Sequence, residues 1–243
     1  MRTLEAEGRG RGDSRVWALI RSPLGGLLLI LGAASAVSGQ SPSNPVFVES
    51  FDDGLEGWET QALDRQASEF QVVTADGDPS LAATSNDAAA ALFLSLPTGP
   101  VDVSRLQWRW SVESSLTENA RERESEGDDY AARILAVFGG TELSDDTRAL
   151  AYVWAGQEPV GSRYRNPNLS QVETIVVQSG DRRAGRWVTE ERLVSADYRE
   201  AFGEPAPPLS ALAIIVDTDD TDAAATAWFD DLRVWGRRAA PRP

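Results

Sequence analysis

Short apolar runs in which every second residue is polar recur along most of the chain, and turn-forming residues separate them. Because successive side chains of a β-strand point to opposite faces, this period of two indicates strands that bury one face. Few segments have the longer period of an amphipathic helix. The pattern predicts an all-β fold, a jelly-roll-like β-sandwich of the galactose-binding or concanavalin type. The expected strands are residues 46–51, 70–74, 89–96, 106–112, 130–138, 149–154, 173–178, 187–194, 211–217 and 227–235.

One short helix is predicted near residue 200. Ser195 is a suitable N-cap, and the following ADYREAF is long enough for two helical turns. Gly203 stands where a left-handed C-terminal cap is favoured, and Pro205 prevents the helix from continuing.

The N-terminus has the features of a secretory signal peptide. A basic region that includes Arg9 and Arg21 precedes the apolar run 24–37, and small residues follow it. The run is shorter than the about 20 residues that span a bilayer; an uncleaved anchor is the alternative, and the absence of Cys excludes a lipoprotein. We expect a bacterial protein that is periplasmic or secreted and has no membrane insertion after cleavage. The expected organisation is a signal peptide at 1–39, a linker at 40–45, one β-sandwich domain at 46–236 and a disordered tail at 237–243.

The composition excludes several kinds of chemistry. The chain has no His and no Cys, and all 23 of its basic residues are Arg, so it also has no Lys. Ser-His-Asp and Cys-His nucleophiles, Schiff-base lysines and zinc held by His or Cys are therefore excluded. The 38 acidic residues give a net charge of -15, which disfavours nucleic acid and anionic membranes as partners.

The stretch GDDYAARILAVF, residues 127–138, places two acidic residues directly before an apolar strand. If both lie in the strand, Asp128 and Asp129 point to opposite faces and do not form a carboxylate pair. Asp129 then shares a face with Arg133, across the small Ala131.

A polar sheet face is predicted by taking residues 106–112 and 130–138 as neighbouring strands. Alternation places Trp108 and Trp110 on one face of the first strand, and polar side chains on the other. Such a face suits hydroxyl and carboxylate groups, because each guanidinium offers five N–H donors in a plane. The alternatives are a solvated face with internal ion pairs, or a buried Asp–Arg pair that fixes the sheet. The predicted face contains Gln107, Arg109, Asp129 and Arg133, and Arg192 is a further candidate.

The tryptophans of the apolar strands are expected in the core more often than on a sugar-binding surface. Trp154 is the exception, because it opens a loop rich in Gly, Pro and Arg and is therefore a ligand-binding candidate. The core set comprises Trp108, Trp110, Trp187 and Trp228.

A second acidic cluster, DTDDTD, closes the apolar strand that ends at residue 217. In an extended strand Asp217 and Asp219 lie on one face, close enough to bind one calcium ion or to act as a hydrolase pair. A solvated turn is the alternative. The charged insertion at residues 114–126 is expected to be a solvated loop or a short exposed helix.

The two ends of the domain, FVESFDDGLEGWE and AWFDDLRVWG, resemble the first and last strands of carbohydrate-binding jelly rolls. That resemblance implies a structural calcium shared by acidic residues of both strands, for which Glu49, Asp52 and Asp231 are the candidates. The alternative is a simple turn beside an exposed strand edge.

Six motifs in order resemble the bacterial family labelled domain of unknown function 3047: GDDYAARILAVF, AYVWA, NPN, GRWVTEERLVSADYREAFG, ALAIIVDTDDT and AWFDDLRVW. The resemblance covers roughly residues 47–235, and Asp220 departs from it where Asn is expected. It implies an exported β-sandwich protein without an established activity. It also adds Asp197 and Tyr198 to the ligand-binding candidates. The motif residues are Asp128, Asp129, Tyr130, Arg133, Tyr152, Trp154, Asn166, Trp187, Asp197, Tyr198, Phe202, Gly203, Asp217, Asp219 and Thr221.

The leading functional hypothesis is an exported module that binds a glycan or another polar polymer. A polysaccharide-active hydrolase or lyase is the alternative, with Asp129, Asp217 and Asp219 as acids or bases and Arg133 stabilising charge. A third possibility is a structural protein of the cell envelope, in which the Asp and Arg side chains only connect strands.

Overall fold

The structure is a computed structural model that describes residues 44–75, 78–140 and 147–240. The predicted signal peptide lies outside the described residues. Helix α1 is Val194–Phe202, and a 3-10 helix covers Ser125–Gly127. The strands are β1 Phe47–Glu49, β2 Glu59–Ala62, β3 Glu69–Ala75, β4 Asp78–Asn86, β5 Ala89–Ser95, β6 Val101–Val112, β7 Tyr130–Phe138, β8 Arg148–Ala155, β9 Arg163–Arg165, β10 Val172–Ser179, β11 Val188–Arg192, β12 Leu209–Asp217 and β13 Ala224–Arg238.

The strands form a β-sandwich of two sheets. The front sheet has the order β3-β4-β13-β6-β11, with β1 also beside β13. The back sheet has the order β2-β5-β12-β7-β8-β10-β9. One residue pair, Leu209 with Val101, joins the two sheets. The predicted all-β sandwich with one helix is confirmed.

The core lies between the inner faces of the two sheets. The rings of Trp108 and Tyr152 are 5.3 Å apart, and those of Trp110 and Trp154 are 5.8 Å apart. Each pair joins β6 of the front sheet to β8 of the back sheet. Aromatic rings at these distances add to the gain from burying their apolar area. The inward orientation predicted for Trp108 and Trp110 is confirmed, since both are fully buried.

All ten predicted strands are present, but three observed strands were not predicted. β2 and β9 are short, polar strands beside β5 and β10. β4 consists mainly of Ala, Ser and Thr, so it lacks the large apolar residues by which strands are recognised. It nevertheless pairs on both sides, with β3 and β13.

The helix and the C-terminal strand differ from expectation at their ends. Helix α1 begins after Leu193, so Ser195 lies inside it and the predicted N-cap is wrong. The predicted C-terminal cap is confirmed, because Gly203 adopts a left-handed φ of 74°. β13 continues to Arg238, so the tail predicted to begin at residue 237 is wrong for its first two residues. Among the described residues no helix is long and apolar enough to cross a membrane.

Candidate functional site

A buried ionic cluster surrounds Arg133 at the start of β7. Nη2 of Arg133 lies 3.1 Å from Oδ2 of Asp217 and 3.3 Å from Oδ1 of Asp128, and it donates to the Asp128 backbone oxygen at 2.5 Å. Asn166 donates to the second oxygen of Asp128 at 2.7 Å. Burial lowers the pKa of Arg133, but the carboxylates of Asp128 and Asp217 outweigh this and hold it above its usual value. Arg133 is only 6% exposed, so the cluster is closed to large ligands.

The neighbouring Asp129 is also buried but has different partners. Its carboxylate accepts hydrogen bonds from the Thr221 hydroxyl at 2.6 Å and from the Asp220 backbone N–H at 3.1 Å. Burial raises its pKa, and these hydrogen bonds oppose that change. Asp128 and Asp129 precede β7 rather than lying in it, and they still contact different groups. Asp129 therefore holds the turn after β12 against the start of β7.

The predicted polar face is not formed. Arg109 lies on β6 of the front sheet and Arg133 on β7 of the back sheet, so their strands are not neighbours. β6 pairs instead with β11 and β13. Of the predicted set, Asp129 and Arg133 are enclosed in the back sheet's cluster. The alternative of a buried Asp–Arg pair describes that cluster better.

Asp217 and Asp219 do not present two carboxylates to one ligand. Asp217 ends β12 and accepts the backbone N–H of Tyr130 at 3.0 Å, in addition to its ion pair with Arg133. Asp219 lies beyond the strand, in a turn, where burial and the charge of Asp129 raise its pKa to about 6. The predicted pair is wrong because the chain turns between its members.

Asp197 and Tyr198, on α1, point into the molecule. The Asp197 carboxylate accepts from Arg192 at 2.7 and 2.9 Å, from Arg163 at 3.0 Å and from the Tyr152 hydroxyl at 3.0 Å. Burial opposes ionisation, but the hydrogen bonds from the two arginines hold the pKa of Asp197 below its usual value. Tyr198 is fully buried against Phe138, with ring centroids 4.7 Å apart. Both residues attach the helix to the sandwich.

Trp154 is fully buried, so the expectation that it faces the loop after β8 is wrong. Its indole N–H donates to the Gly180 backbone oxygen at 3.1 Å, and its ring packs on Trp110. In this position it offers no surface for a ligand.

The three calcium candidates have other partners. Both carboxylate oxygens of Glu49 are hydrogen-bond acceptors, from the Phe51 backbone N–H at 2.8 Å and from the Trp58 indole at 2.9 Å. Asp231 pairs with Arg233 at 2.8 Å and with Arg109 at 3.4 Å, while Asp52 accepts from Ser50. No group of three or more acidic side chains among the described residues is placed to hold a metal. The predicted set therefore does not fit a shared calcium, and calcium binding stays a prediction.

The charged insertion at 114–126 is not simply a solvated loop. The buried Glu122 accepts backbone N–H groups of Gly156 at 2.5 Å, Glu158 at 2.7 Å and Gln157 at 3.2 Å. Gly156 lies so close to the insertion that a Cβ there would be 2.0 Å from the Leu116 backbone oxygen. The insertion is thus fixed to the loop after β8.

The outer face of the front sheet carries two accessible tryptophans. Phe229 and Val188 belong to the core, so by alternation Trp228 and Trp187 point outward. Trp187 is 44% exposed and Trp228 is half-buried. Neither indole N–H has a hydrogen-bond partner among the described residues. We call this surface the tryptophan face; its central row, read across the sheet, is Gln71, Ala82, Trp228 and Ser111, and Trp187 directly precedes Val188, the first residue of β11.

The row alternates large and small side chains. Trp228 lies opposite Ala82 on one side and Ser111 on the other. Val188 lies opposite Trp110, so extending this antiparallel register by one residue brings Trp187 to the level of Ser111. Neighbouring strands are about 4.8 Å apart, so the two tryptophan Cα atoms are separated by about 10 Å. The two indoles therefore project further from the sheet than the small side chains beside them.

Arg109 belongs to this face. Its guanidinium carbon lies 4.7 Å from the centre of the Trp187 ring, a cation–π contact. Asp230 at 3.0 Å and Asp231 at 3.4 Å orient it from β13. Burial, with the charge of Asp231, raises the pKa of Asp230. Arg109 is the one predicted ligand-binding residue that lies on the tryptophan face.

The expectation that Trp187 and Trp228 lie in the core, as aromatic residues of apolar strands, is wrong, although alternation contains the contrary signal. In a strand formed by ATAWFDD, Ala227 and Phe229 lie on one face, whereas Trp228 lies on the other face together with Asp230. In a strand formed by GRWVTEER, Trp187 lies on the same face as the polar Thr189 and Glu191. Applying the alternation that oriented Trp108 to these two strands would have found both residues.

Several solved structures are similar to this chain. A family 11 carbohydrate-binding module from Clostridium thermocellum, in complex with a beta-1,3-1,4-mixed-linked tetrasaccharide, is 9% identical; the match covers 79% of this chain and 96% of that one, with a TM-score of 0.40. The CBM22-1 xylan-binding domain of Paenibacillus barcinonensis Xyn10C is 15% identical, with coverage of 83% and 100% and a TM-score of 0.38. Endoglucanase 3 of Trichoderma harzianum, from family GH12, is 14% identical, with coverage of 84% and 100% and a TM-score of 0.41. Identities and TM-scores this low give no information on what this chain binds.

No curated protein matches the sequence. A family model does match, over residues 56–233, which is most of the described domain. The chain therefore belongs to the family described as "Protein of unknown function (DUF3047)".

Proposed function

We propose that this protein is an exported binding module for a glycan or another polar polymer, and that the tryptophan face is its binding surface. The observation that carries the proposal is the pair of outward-facing indoles about 10 Å apart on one face of the front sheet, with Ser111 between them. The C–H surface of a sugar ring is apolar and packs on an indole, while its hydroxyl groups need hydrogen-bond partners. Arg109 and the two free indole N–H groups provide such partners.

Exposure of Trp187 supports a binding role over a packing role. An indole removed from water contributes to stability, whereas one left 44% exposed forgoes much of that gain. Tryptophan and arginine are also the residues that most often dominate binding energy at interfaces. Here both types lie in contact on one rigid sheet.

The two other functional hypotheses have less support. The carboxylates suggested for catalysis include Asp129 and Asp217, which are buried and hydrogen-bonded. An envelope structural protein fits the buried ionic clusters, but it gives no role to the exposed tryptophans. Export to the periplasm or beyond remains part of the proposal and is supported by the N-terminal sequence pattern.

The proposal is tested with a panel of soluble polysaccharides in affinity gel electrophoresis, with isothermal titration calorimetry for each polysaccharide that slows migration. We expect retardation by at least one polysaccharide and an affinity about tenfold lower in Trp187→Ala, equivalent to about 1.4 kcal/mol. Trp228→Ala should also weaken binding. The melting temperature of Trp187→Ala should fall only slightly, because 44% of the residue's surface is already exposed to water.

Val160→Ala is the matched control, since Val160 is an exposed apolar residue in the loop after β8. It should bind as the wild type does. Undiminished binding by folded Trp187→Ala and Trp228→Ala proteins would exclude the tryptophan face, and a panel without any binding would reject the function.

A further inference from the structure

A basic segment borders the tryptophan face. Arg182, Arg183 and Arg186 are all exposed, in the loop between β10 and β11 that ends at Trp187. None of their guanidinium groups has a hydrogen bond or close ion pair with another described residue. Three positive charges without a close partner therefore lie within five residues of Trp187, the most exposed tryptophan among the described residues.

The acidic residues nearest to this segment form no close ion pair with its arginines among the described residues. Oδ1 of Asp181 accepts hydrogen bonds from the backbone N–H and the hydroxyl of Ser115, at 2.7 and 2.8 Å. Glu190 feels the charge of Arg183, but it is half-buried and accepts a hydrogen bond from Gln178 at 2.6 Å. The positive charge is thus left facing solvent, on a chain with a net charge of -15.

The segment is also held in place. The Gly180 backbone N–H donates to the Ala155 oxygen at 2.9 Å, and the Gly185 N–H donates to the Val112 oxygen at 2.8 Å. These two bonds fix the loop to β8 of the back sheet and β6 of the front sheet. A fixed loop presents its arginines at a defined edge of the face, which lowers the entropy cost of ordering them on a ligand.

We propose that the ligand of the tryptophan face is an acidic polysaccharide whose sugars carry carboxylate groups. This inference rests on the proposed function and specifies its substrate class. Guanidinium groups match carboxylates in both charge and geometry, because two parallel N–H donors meet the two carboxylate oxygens. The indoles bind the sugar rings and the arginines of the basic segment bind the acidic substituents. The overall negative charge of the protein repels acidic polymers elsewhere on its surface, so binding is confined to this edge.

The test compares polygalacturonate with the same polymer after complete methyl esterification, which keeps the backbone and removes the charge. We expect the wild-type protein to bind polygalacturonate at least tenfold more tightly. That preference should shrink as NaCl is raised from about 50 mM to about 500 mM, because salt screens exposed charges. Heparin serves as a polymer in which sulfate groups accompany the carboxylates and raise the charge per sugar.

The double variant Arg183→Gln/Arg186→Gln should bind polygalacturonate about tenfold more weakly. Its affinity for the esterified polymer should not change. Arg65→Gln/Arg199→Gln is the matched control, because it removes the same charge from exposed arginines outside the basic segment. Arg65 precedes β3, at the opposite edge of the front sheet from β11.

The outcomes separate the two proposals. Equal binding of both polymers, lost in Trp187→Ala, would overturn the acidic class and leave glycan binding intact. Absence of binding to any polysaccharide would overturn both. Tighter binding to heparin than to polygalacturonate would overturn carboxylate as the recognised group in favour of sulfate. Equal losses of affinity for polygalacturonate in the two double variants would overturn the role of the basic segment.

Discussion

Nη2 of Arg133 lies 3.1 Å from Oδ2 of Asp217, and both residues are buried. Asp128 and Asp129 add two further acidic groups near the same guanidinium. One guanidinium is thus the shared positive charge beside several buried carboxyl groups. Burial consequently raises the pKa of Asp217, and the charge of Arg133 opposes this.

Removing Arg133 should destabilise the fold strongly. In Arg133→Met the apolar volume is largely kept, but Asp128 and Asp217 lose their common partner. Removing one partner of a buried ion pair costs about 3–5 kcal/mol. Urea denaturation should show a loss of this size at pH 8, and a smaller loss at pH 5 because burial raises the pKa of Asp217, which can then take up a proton.

Arg123→Met is the control for this variant. Arg123 pairs with Glu158 at 2.7 Å, but its side chain is largely exposed. Exposed ion pairs contribute about 0–1 kcal/mol. A loss in Arg133→Met no larger than in Arg123→Met would show that the cluster around Arg133 does not stabilise the fold.

The turn after β12 should make stability depend on pH. Burial and the charge of Asp129 raise the pKa of Asp219 to about 6 and that of Asp220 to about 7. Both values exceed the pKa in the unfolded chain, about 3.9. The folded state therefore holds protons that the unfolded state has released, and stability falls as the pH rises from about 4 through 7.

Asp219→Asn/Asp220→Asn should remove this part of the pH dependence. Relative to the wild type, the double variant should gain stability as the pH rises from about 5 to about 8, measured by urea denaturation. Asp222→Asn changes the charge of an exposed residue in the same turn and is the control. A constant difference between wild type and double variant across this range would contradict the expected pKa shifts.

Glu122 should be required to hold the insertion at 114–126 against the loop after β8. Glu122→Gln keeps the size of the side chain but leaves only one oxygen to accept three backbone N–H groups. Unpaired buried donors cost about 1–3 kcal/mol. Hydrogen exchange should become faster at Gln157 and Glu158, whereas the same change at the exposed Glu124 should leave both amides protected; unchanged protection in Glu122→Gln would contradict this role.

Alternation of side chains predicted the strands and the orientation of Trp108 and Trp110, because the two faces of a single strand can be assigned from the sequence of that strand alone. It did not predict which strands are neighbours. Arg109 and Arg133 were placed together because their strands are consecutive among those predicted, yet β6 pairs with β11 and β13, far later in the chain. Strand order depends on packing between distant segments, which no local pattern contains.

Burial of charged residues was also outside the reach of local patterns. Arg133 and Asp217 are 84 positions apart, and each is tolerated inside only because the other is present. The Asp197 carboxylate accepts a hydrogen bond from Arg163, which lies on β9, a strand too short to be predicted from the sequence. The burial predicted for Trp187 is wrong because aromatic residues of apolar strands are usually buried. Its polar neighbours on the same face of the strand indicate exposure instead.

Asp197 should anchor α1 to the sandwich through its two arginines. In Asp197→Asn the paired oxygens of the carboxylate are lost, so Arg192 loses its negative partner and Arg163 keeps only the exposed Glu200. We expect a loss of about 3 kcal/mol near pH 7. Glu200→Gln is the control, because Glu200 also pairs with Arg163, at 3.2 Å, but is exposed and should contribute less than about 1 kcal/mol.

The pH dependence of this loss identifies its electrostatic origin. Because its arginines hold the pKa of Asp197 below the usual value, its stabilising effect is complete above the unfolded pKa of about 3.9 and is lost as the pH falls through the lower folded value. The difference between the wild type and Asp197→Asn in urea should therefore shrink in strong acid. A difference that stays constant down to the lowest pH at which both proteins fold would assign the effect to hydrogen-bond geometry instead of charge.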